Sequence, residues 1–292
     1  MTPHEPAVVA VTGATGALGS RVARQLAEHA VPQLLVARDP RRLPRYPGTE
    51  HRGPAAYDDR AAMRDAVAGA TTVVLVSGRP TGRRLEEHAT VVEAAVEAGV
   101  ERVLYVSLLG AAPDATYRNA RDHWLTEQYL AAAPIRHTVV RAGIYASTPA
   151  SLADHELVVR GPGGSGRAAF VAHEDLAAVI TALALDEHGD EHDGAVLEVT
   201  GPEALTLEEA VEEIARASGK PYRYVRETPE EAFTRRLELG LSGEQIEAWI
   251  SWYLAIADGG LATVTDVVPR LTGDPATPVS EIDWWPAPGR AS

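Results

Sequence analysis

The sequence of 292 residues contains no cysteine, which excludes disulfide bonds, thiolate metal sites and cysteine nucleophiles. Lysine is almost as scarce: Lys220 is the only one, although lysine and arginine together number 27. No lysine can therefore take part in chemistry from the N-terminal half of the chain.

Positive charge is also in short supply. The 41 acidic residues outnumber the basic ones and give a formal net charge of -14. Such a charge works against nonspecific binding to nucleic acid or to an anionic membrane surface. We therefore expect a small-molecule substrate and no nucleic-acid partner.

Long hydrophobic runs are absent as well. No stretch approaches the roughly 20 apolar residues of a membrane span, and residues 1–6 have neither a basic segment nor the apolar run of a secretory signal. These absences predict a cytoplasmic protein that does not bind membranes. A monomer or a homodimer is expected.

Strand-like apolar runs alternate with helical periodicity through the first half, which predicts an α/β fold with a doubly wound parallel sheet of the Rossmann type. The predicted strands are Val8–Val11, Leu34–Ala37, His51–Ala55, Val73–Val76, Val103–Val106 and His137–Arg141. The predicted helices are Ala17–His29, Arg60–Val67, Arg84–Ala98 and Asn119–Ala131. Ligands of such sheets bind at the carboxyl ends of the strands.

A second, smaller lobe is predicted for residues 151–292, after a first domain at 1–150 that strand and helix elements from 168–200 complete. The glycine-rich segment 161–166 is interpreted as a lid or a hairpin turn. Thr206 and Glu209 have the spacing of a helical capping box. Helices are expected at Leu207–Ser218, Pro229–Leu239 and Gly243–Ala257, of which the last is apolar nearly all round and is expected to be buried or to cover the substrate pocket.

The segment from Ala7 to Ser20 has the pattern of a dinucleotide cradle: a buried strand, glycines at 13, 16 and 19, and an amphipathic helix. One glycine allows the turn, one lets the backbone approach a pyrophosphate, and one allows close packing of helix on strand. The positive end of the helix dipole would face the phosphates. The predicted cofactor-binding residues here are Gly13, Ala14, Thr15, Gly16, Ala17, Leu18 and Gly19.

Arg38 follows the second predicted strand, where the adenosine ribose of a dinucleotide lies. A carboxylate at this position accepts hydrogen bonds from the ribose hydroxyls of NAD, whereas an arginine pairs with the 2′-phosphate of NADP. Arg38, backed by Arg41 or Arg42, therefore predicts NADPH. The alternative is a solvated basic turn, to which the neighbouring Asp39 would contribute.

Other strand ends add Ser77, Gly78, Ser107, Ala142, Gly143 and Ile144 to the predicted cofactor-binding residues. At this point the chain resembles the NmrA-like atypical short-chain dehydrogenases, especially the NADPH-dependent quinone oxidoreductase and triphenylmethane reductase branch. The resemblance covers nearly the whole chain. It rests on Thr12–Gly19, Arg38–Pro40, Tyr57–Asp59, Leu75–Ser77, Arg121–Glu127, Arg141–Tyr145 and Thr200–Thr206.

Two positions depart from that family's pattern. The family often has an aspartate near position 56 that can bond the adenine, but Ala56 stands here, so the contact must come from backbone or from Asp58. The family's Arg-Pro-Gly reads Arg141-Ala142-Gly143, and the loss of proline leaves the loop beneath the nicotinamide less stiff.

The usual catalytic pair of short-chain dehydrogenases, Tyr-x-x-x-Lys, cannot form without a lysine. Tyr117 with Arg121 has the same spacing, but arginine supplies charge without a tunable proton. Alternatively, registering on Glu127 places His123 at the lysine position. The resemblance favours His123, since related quinone reductases carry histidine there, and an imidazole can hold a ribose hydroxyl or relay a proton.

The missing proton donor indicates the substrate class. Quinones, cationic dyes and conjugated enones accept hydride and take their proton from water, so that alignment with the nicotinamide suffices. The predicted substrate-binding residues are Tyr117, Trp124, Tyr145 and Phe170, which would form a pocket for a flat ligand.

Two other functions fit the same residues: a noncatalytic NADP(H) sensor that acts through a protein partner, and a tailoring ketoreductase or isomerase of an aromatic natural product. No metal site is expected, because the histidines at 188 and 192 lie in an acidic turn and His155 with Glu156 has no third ligand nearby.

Replacing Arg38 with alanine tests the cofactor assignment. We expect R38A to weaken NADPH binding by about 2 kcal/mol, because a charge-assisted pair with the 2′-phosphate is lost, and to leave NADH binding nearly unchanged. Fluorescence titration with both nucleotides measures this difference. Equal losses for NADPH and NADH would contradict it.

Overall fold

Seven parallel strands form the central sheet of the computed structural model, which describes residues 7–78, 81–186 and 190–282. The strands are β1 (Val9–Thr12), β2 (Gln33–Val36), β3 (Thr49–Arg52), β4 (Thr72–Val76), β5 (Arg102–Leu108), β6 (Arg136–Ala142), β7 (Ile144–Tyr145), β8 (Val158–Gly161), β9 (Arg167–Val171), β10 (Val196–Val199), β11 (Ala204–Thr206) and β12 (Arg223–Arg226). The order in the large sheet is β10-β6-β5-β4-β1-β2-β3. This arrangement confirms the predicted fold class.

The helices cover both faces of that sheet. They are α1 (Ala17–Glu28), α2 (Arg60–Val67), α3 (Arg84–Glu97), α4 (Arg118–Ala132), α5 (Thr148–Ser151), α6 (His173–Leu185), α7 (Leu207–Ser218), α8 (Pro229–Glu238), α9 (Gly243–Ala257) and α10 (Val267–Thr272). One core packs α1 and α6 on the sheet, and the other packs α2 and α3 on its opposite face. Strand residues alternate between the two cores, as in β4, where Val74 belongs to the first and Leu75 to the second.

The strand order reverses between β1 and β4, which are adjacent in the sheet but separated by β2 and β3 in the chain. At such a switch point the connections leave in opposite directions and open a crevice beyond the carboxyl ends of the strands. The glycine loop follows β1 at this point. The fold therefore places the predicted cradle beside the end of β4.

Strand β3 ends earlier than predicted. It covers Thr49–Arg52, whereas the prediction was His51–Ala55. Pro54 has no N–H for a ladder, and Gly53 has a φ of 126°, outside the range of a strand. The apolar residue Ala55 belongs to the turn after the strand and is buried there.

Two small sheets and the helices α7 to α9 build the rest of the molecule. Strands β11, β9 and β7 form one sheet, and β12 and β8 form the other. The predicted capping box at the start of α7 is confirmed: Thr206 Oγ1 accepts from Glu209 N, and the Glu209 carboxylate accepts from Thr206 N. Ser242 and Gln245 cap α9 in the same way.

The interpretation of the segment 161–166 as a lid or hairpin turn is wrong. The strands on its two sides belong to different sheets, because β8 pairs with β12 and β9 pairs with β11 and β7. Helix α9 lies against the segment: a Cβ on Gly161 would come within 2.0 Å of the Tyr253 ring, and one on Gly166 within 1.9 Å of the Ile256 carbonyl. The glycines are required because a helix packs directly on their backbone.

None of the helices in the described ranges has the length and apolar character that crossing a membrane requires. Helix α9 is instead a wall of the molecule, with Ile246, Tyr253 and Ile256 fully buried.

Replacing Gly166 with alanine tests the contact with α9. We expect G166A to lower the free energy of unfolding by about 1–3 kcal/mol, because the new methyl group has no space beside the Ile256 carbonyl. Urea unfolding measures the loss. G243A is the matched control, since a Cβ there meets only the Phe233 ring at 3.9 Å; equal stability of the two variants would contradict the packing argument.

Candidate functional site

A cavity of about 1100 Å³ opens at the carboxyl ends of β4, β5 and β6. Helix α4 begins on one side of it, and α9 closes another side with Ala248, Trp249 and Trp252. The cavity brings together nine predicted site residues: Ser77, Gly78, Ser107, Tyr117, His123, Ala142, Gly143, Ile144 and Tyr145.

The glycine loop has the geometry of an anion cradle. Gly13 has a φ of 61°, and its carbonyl accepts from Gly16 N at 2.9 Å. A Cβ on Gly19 would lie 2.5 Å from the Gly13 oxygen, so only glycine allows this approach. Helix α1 begins without a side-chain cap and without an acidic residue in its first turn. Its first N–H groups are therefore available to a pyrophosphate, and the loop fits a dinucleotide.

Ala14 and Leu18 have a packing role in this loop. Both are buried in the core beneath α1, whereas Gly16 and Ala17 are exposed and Thr15 is half-buried. The exposed backbone between them is the part of the loop that a phosphate can reach.

Tyr57 connects the loop to the neighbouring strand. Its hydroxyl lies 2.6 Å from the Val76 carbonyl and 2.7 Å from Thr12 Oγ1, which in turn accepts from Val76 N. Burial raises the pKa of Tyr57 to about 12, so it remains a neutral donor. These hydrogen bonds fix the distance between the ends of β1 and β4.

Arg38 is exposed after β2 and has no hydrogen bond or ion pair to any described residue. Asp39 is occupied: it accepts from Arg41 N and pairs with the Arg41 guanidinium at 2.8 Å, which lowers the pKa of Asp39. Arg41 is thereby engaged, while Arg38 is free to meet a 2′-phosphate. Asp58 is exposed, and its neighbour Asp59 caps α2.

The two serines at the strand ends have their hydroxyls engaged by the protein. Ser77 Oγ donates to the Val106 carbonyl at 2.7 Å, and Ser107 Oγ donates to Glu127 at 2.5 Å. Gly143 meets the Ala169 carbonyl so closely that a Cβ would lie 2.7 Å from it. Because the two serine hydroxyls are already hydrogen-bonded within the protein, the cavity wall at these positions presents mainly backbone groups to a ligand.

Glu127 is a buried carboxylate with a full set of donors. Besides the Ser107 hydroxyl it accepts from Arg141 Nε at 2.9 Å and from a terminal nitrogen of Arg141 at 2.7 Å. Its side chain is 5% exposed and that of Arg141 19%. A bidentate pair of this kind ties α4 to β5 and β6.

His123 lies one turn before Glu127 on α4 and lines the cavity. Its Nδ1 is 2.9 Å from the Tyr105 hydroxyl, and the two rings stack. Burial, together with the charge of Arg84, lowers the pKa of His123 well below 6.5. The ring is neutral at pH 7 and offers hydrogen bonds, but it holds no extra proton to relay.

Tyr117 lines the cavity at the start of α4, where its hydroxyl accepts from Asn119 Nδ2 at 2.9 Å. Burial raises the pKa of Tyr117. Helix α9 is attached at the same place, since Ser251 Oγ accepts from Arg118 N at 3.1 Å.

The aromatic residues divide between cavity and core. Tyr145 lines the cavity and stacks on His173, with ring centroids 4.1 Å apart. The prediction for Phe170 is wrong: it is 2% exposed and packs in the core beneath the small sheets. Trp124 is also absent from the cavity lining, although it follows His123 on α4.

Among the lining residues that sequence reasoning missed, three carry distinctive chemistry: Arg84, Trp249 and Trp252. The signal for the tryptophans was the all-round apolar character of α9, which predicted a pocket cover without identifying the residues. Nothing in the sequence distinguished Arg84 from the exposed Arg83 beside it.

No group of three or more possible metal ligands occurs in the described part of the chain. Of the acidic turn that carries histidines 188 and 192, residues 187–189 lie outside the described residues.

The NmrA-like family model matches residues 5–253. The chain belongs to the NmrA-like family.

Full-length relatives are similar at about 30% identity. Quinone oxidoreductase 2 of Escherichia coli is 31% identical over 94% of this chain and 96% of its own. A (4-alkanoyl-5-oxo-2,5-dihydrofuran-3-yl)methyl phosphate reductase of Streptomyces griseus is 34% identical over 95% and 96%. The crystal structure of an NADPH-dependent quinone oxidoreductase from E. coli in complex with NADPH superimposes with a TM-score of 0.81 at 29% identity, covering 94% of this chain and 97% of that one.

Three histidines give this NmrA-like protein a pH-dependent stability. Burial lowers the pKa of His88 to about 3 and that of His173 to about 4, and it lowers that of His123 as well. Each is neutral when folded, but is protonated in the unfolded chain below pH 6.5. The contribution of these three groups to the free energy of unfolding is therefore fully present above pH 6.5. It is lost as the pH falls below that value.

We expect unfolding at pH 5.5 to take up roughly three protons on these groups. Calorimetric unfolding in buffers of different ionisation enthalpy measures this uptake, and H173N should reduce it by about one. The same uptake at pH 8 as at pH 5.5, or no change in H173N, would contradict the assignment.

Proposed function

We propose that this protein is an NADPH-dependent oxidoreductase that transfers a hydride to a quinone or a similar conjugated acceptor. The observation that carries the proposal is the cavity itself. It opens beside the glycine loop, is walled by the flat rings of Tyr145, Trp249 and Trp252, and contains neutral His123 where other dehydrogenases use a lysine.

The cofactor fits the residues at hand. The N–H groups at the start of α1 would hold the pyrophosphate, and Arg38 would pair with the 2′-phosphate, since Asp39 is already engaged by Arg41. The strand ends at Ser77, Gly78 and Gly143 would lie along the nicotinamide half. When bound, NADPH supplies a hydride from C4 of its nicotinamide.

The side chains of the cavity bind and orient. Tyr105 holds His123 through Nδ1, which leaves the other ring nitrogen to a ribose hydroxyl or to the acceptor. Trp249, Trp252 and Tyr145 exclude water and would bound a flat ring in the cavity, while Trp249 itself packs against the Arg236 guanidinium and the Tyr253 ring. Burial raises the pKa of Tyr117 and of Tyr145 and lowers that of His123, so the phenols are weak acids and the imidazole carries no extra proton; the final proton of the product then comes from water.

The relatives support this substrate class. One is named for quinones, and the other for a reaction on an oxo-dihydrofuran, a ring that also joins a carbonyl group to a carbon–carbon double bond. We further propose that residues 1–150 bind the cofactor, together with elements from 168–200, and that 151–292 cover the acceptor.

A panel of quinones, enones and dyes tests the proposal. We expect 1,4-naphthoquinone to stimulate oxidation of NADPH, followed by loss of absorbance at the nicotinamide band. W249A should raise KM about tenfold, because it removes a large apolar side chain that lines the cavity. W124A is the matched control, since Trp124 does not line the cavity, and should leave KM within about twofold.

If no acceptor of the panel accelerates NADPH oxidation, the catalytic proposal fails. Tight binding of NADP(H) without turnover, together with a protein captured by the nucleotide-bound form, would instead support a sensor.

A further inference from the structure

Arg84 is a buried arginine in the wall of the cavity. It is 5% exposed and lies at the start of α3, directly after the loop from β4. One terminal nitrogen donates to the Gly78 carbonyl at 3.2 Å, while Nε is buried with no hydrogen-bond partner in the described residues. A buried guanidinium with open donors is costly unless something satisfies it.

Other arginines with little exposure each have a carboxylate nearby, which Arg84 lacks. The half-buried Arg141 pairs with Glu127, and the buried Arg102 and Arg236 lie 3.8 Å from Asp193 and 3.9 Å from Glu227. Within residues 7–78, 81–186 and 190–282, no carboxylate lies within 4 Å of Arg84. The nearest acid along its helix face, Glu87, accepts from Thr81 instead.

The remaining charges of the cavity do not replace such a partner. Arg118 and Arg121 are exposed, the first facing Glu247 and the second donating to the Ala115 carbonyl. Asp122 and Glu244 also line the cavity, at its more exposed parts. Arg84 is thus the buried positive charge of this wall, in a protein whose net charge is -14.

The charge of Arg84 reaches the proposed reaction site. Burial first, and the charge of Arg84 second, lower the pKa of His123 and of His88, two rings beside the cavity. His123 and Tyr117 line the same cavity as Arg84, so an acceptor held by them can present one of its oxygens to Arg84.

We propose that Arg84 binds a negatively charged oxygen of the acceptor. The inference rests on the proposed function and names the group that recognises its substrate. When a quinone takes up the hydride of NADPH, the C4–H bond breaks, NADP⁺ forms, and the hydride makes a new bond to one quinone oxygen. The two electrons that arrive with the hydride leave a negative charge on the second quinone oxygen. Arg84 stabilises this charged oxygen until water protonates it.

The same chemistry could come from a fixed anionic substituent on the acceptor, such as a sulfonate. Both sources present oxygen with negative charge to a buried guanidinium. A neutral and a sulfonated acceptor, compared in the same variant, separate the two sources.

The first test measures an ionisation rather than turnover. 4-Nitrophenol changes its absorbance when it loses its proton, so its pKa can be read in the complex with NADP⁺-saturated protein. We expect wild-type protein to lower that pKa by about one unit or more, because a buried cation favours the phenolate. R84Q should abolish the shift, and R84K should restore part of it.

R83Q is the matched control. It removes the same charge one residue earlier, but Arg83 is 58% exposed, pairs with Glu86 and does not line the cavity. We expect it to bind 4-nitrophenolate as the wild type does. Unfolding and NADPH titrations of R84Q check that the variant folds and holds its cofactor.

The second test compares 1,4-naphthoquinone with its sulfonated derivative. A fall in kcat of roughly 100-fold for both acceptors in R84Q, with KM little changed, assigns Arg84 to the oxygen that becomes charged during the reaction. A rise in KM for the sulfonated acceptor alone assigns it to a fixed anion.

Absence of 4-nitrophenol binding to the wild type, or an equal shift in wild type and R84Q, would overturn the proposal. So would an R84Q variant whose main defect is NADPH binding, because the anion would then belong to the cofactor. The phenol titration needs no turnover. A protein that lowers the pKa of 4-nitrophenol but reduces no quinone would therefore refute the proposed function and leave the role of Arg84 in anion binding intact.

Discussion

The buried carboxylate of Glu127 holds the sheet and the helices together at the place where the cavity opens. Its oxygens accept from Ser107 on β5 and from Arg141 on β6, while Glu127 itself lies on α4. A buried carboxylate keeps its charge only if donors surround it, so α4 has one rotation about its axis that satisfies the pair. His123, four residues earlier on the same helix face, is thereby directed to the cavity.

Behind this arrangement lies a row of buried polar rings. His88 bonds Thr126, and Tyr105 bonds His123. Burial raises the pKa of Tyr105 and lowers those of the histidines, so the row is uncharged at neutral pH. The cavity therefore combines a neutral back wall with one buried cation. This environment suits a ligand whose charge appears on oxygen more than one that needs a proton from the protein.

Much of the first half of the molecule was predictable because its constraints are local. A strand, three glycines and a helix must be contiguous to cradle a phosphate, and Arg38 must directly follow its strand. The end of β3 was harder to predict from the sequence. The apolar residues continue to Ala55, but the backbone at Gly53 and Pro54 ends the hydrogen bonding between the strands. The glycines at 161 and 166 looked like a loop, since the helix packed on them is some 90 residues away in the chain.

The cavity lining shows the same limit more clearly. Composition cannot distinguish Phe170, which is core, from Trp252, which is nearly as buried and yet lines the cavity. Arg84 and Arg83 are the same residue type at adjacent positions, but Arg84 is buried and Arg83 is exposed. The orientation of α3 decides which of the two side chains faces the cavity. Which member of such a pair faces a ligand depends on tertiary contacts of the kind that Glu127 makes.

Helix α9 both lines the cavity and packs on the glycine segment. The residues it presents to the cavity, at positions 244, 245, 248, 249 and 252, follow one helical stripe, while the Tyr253 ring and the Ile256 backbone carbonyl, nearer its C-terminal end, pack on the glycine segment. Substitutions along the stripe change the space for the acceptor without touching the glycine loop or Arg38. A lineage with this fold can thus explore new acceptors by varying one face of one helix, and keep its source of electrons unchanged.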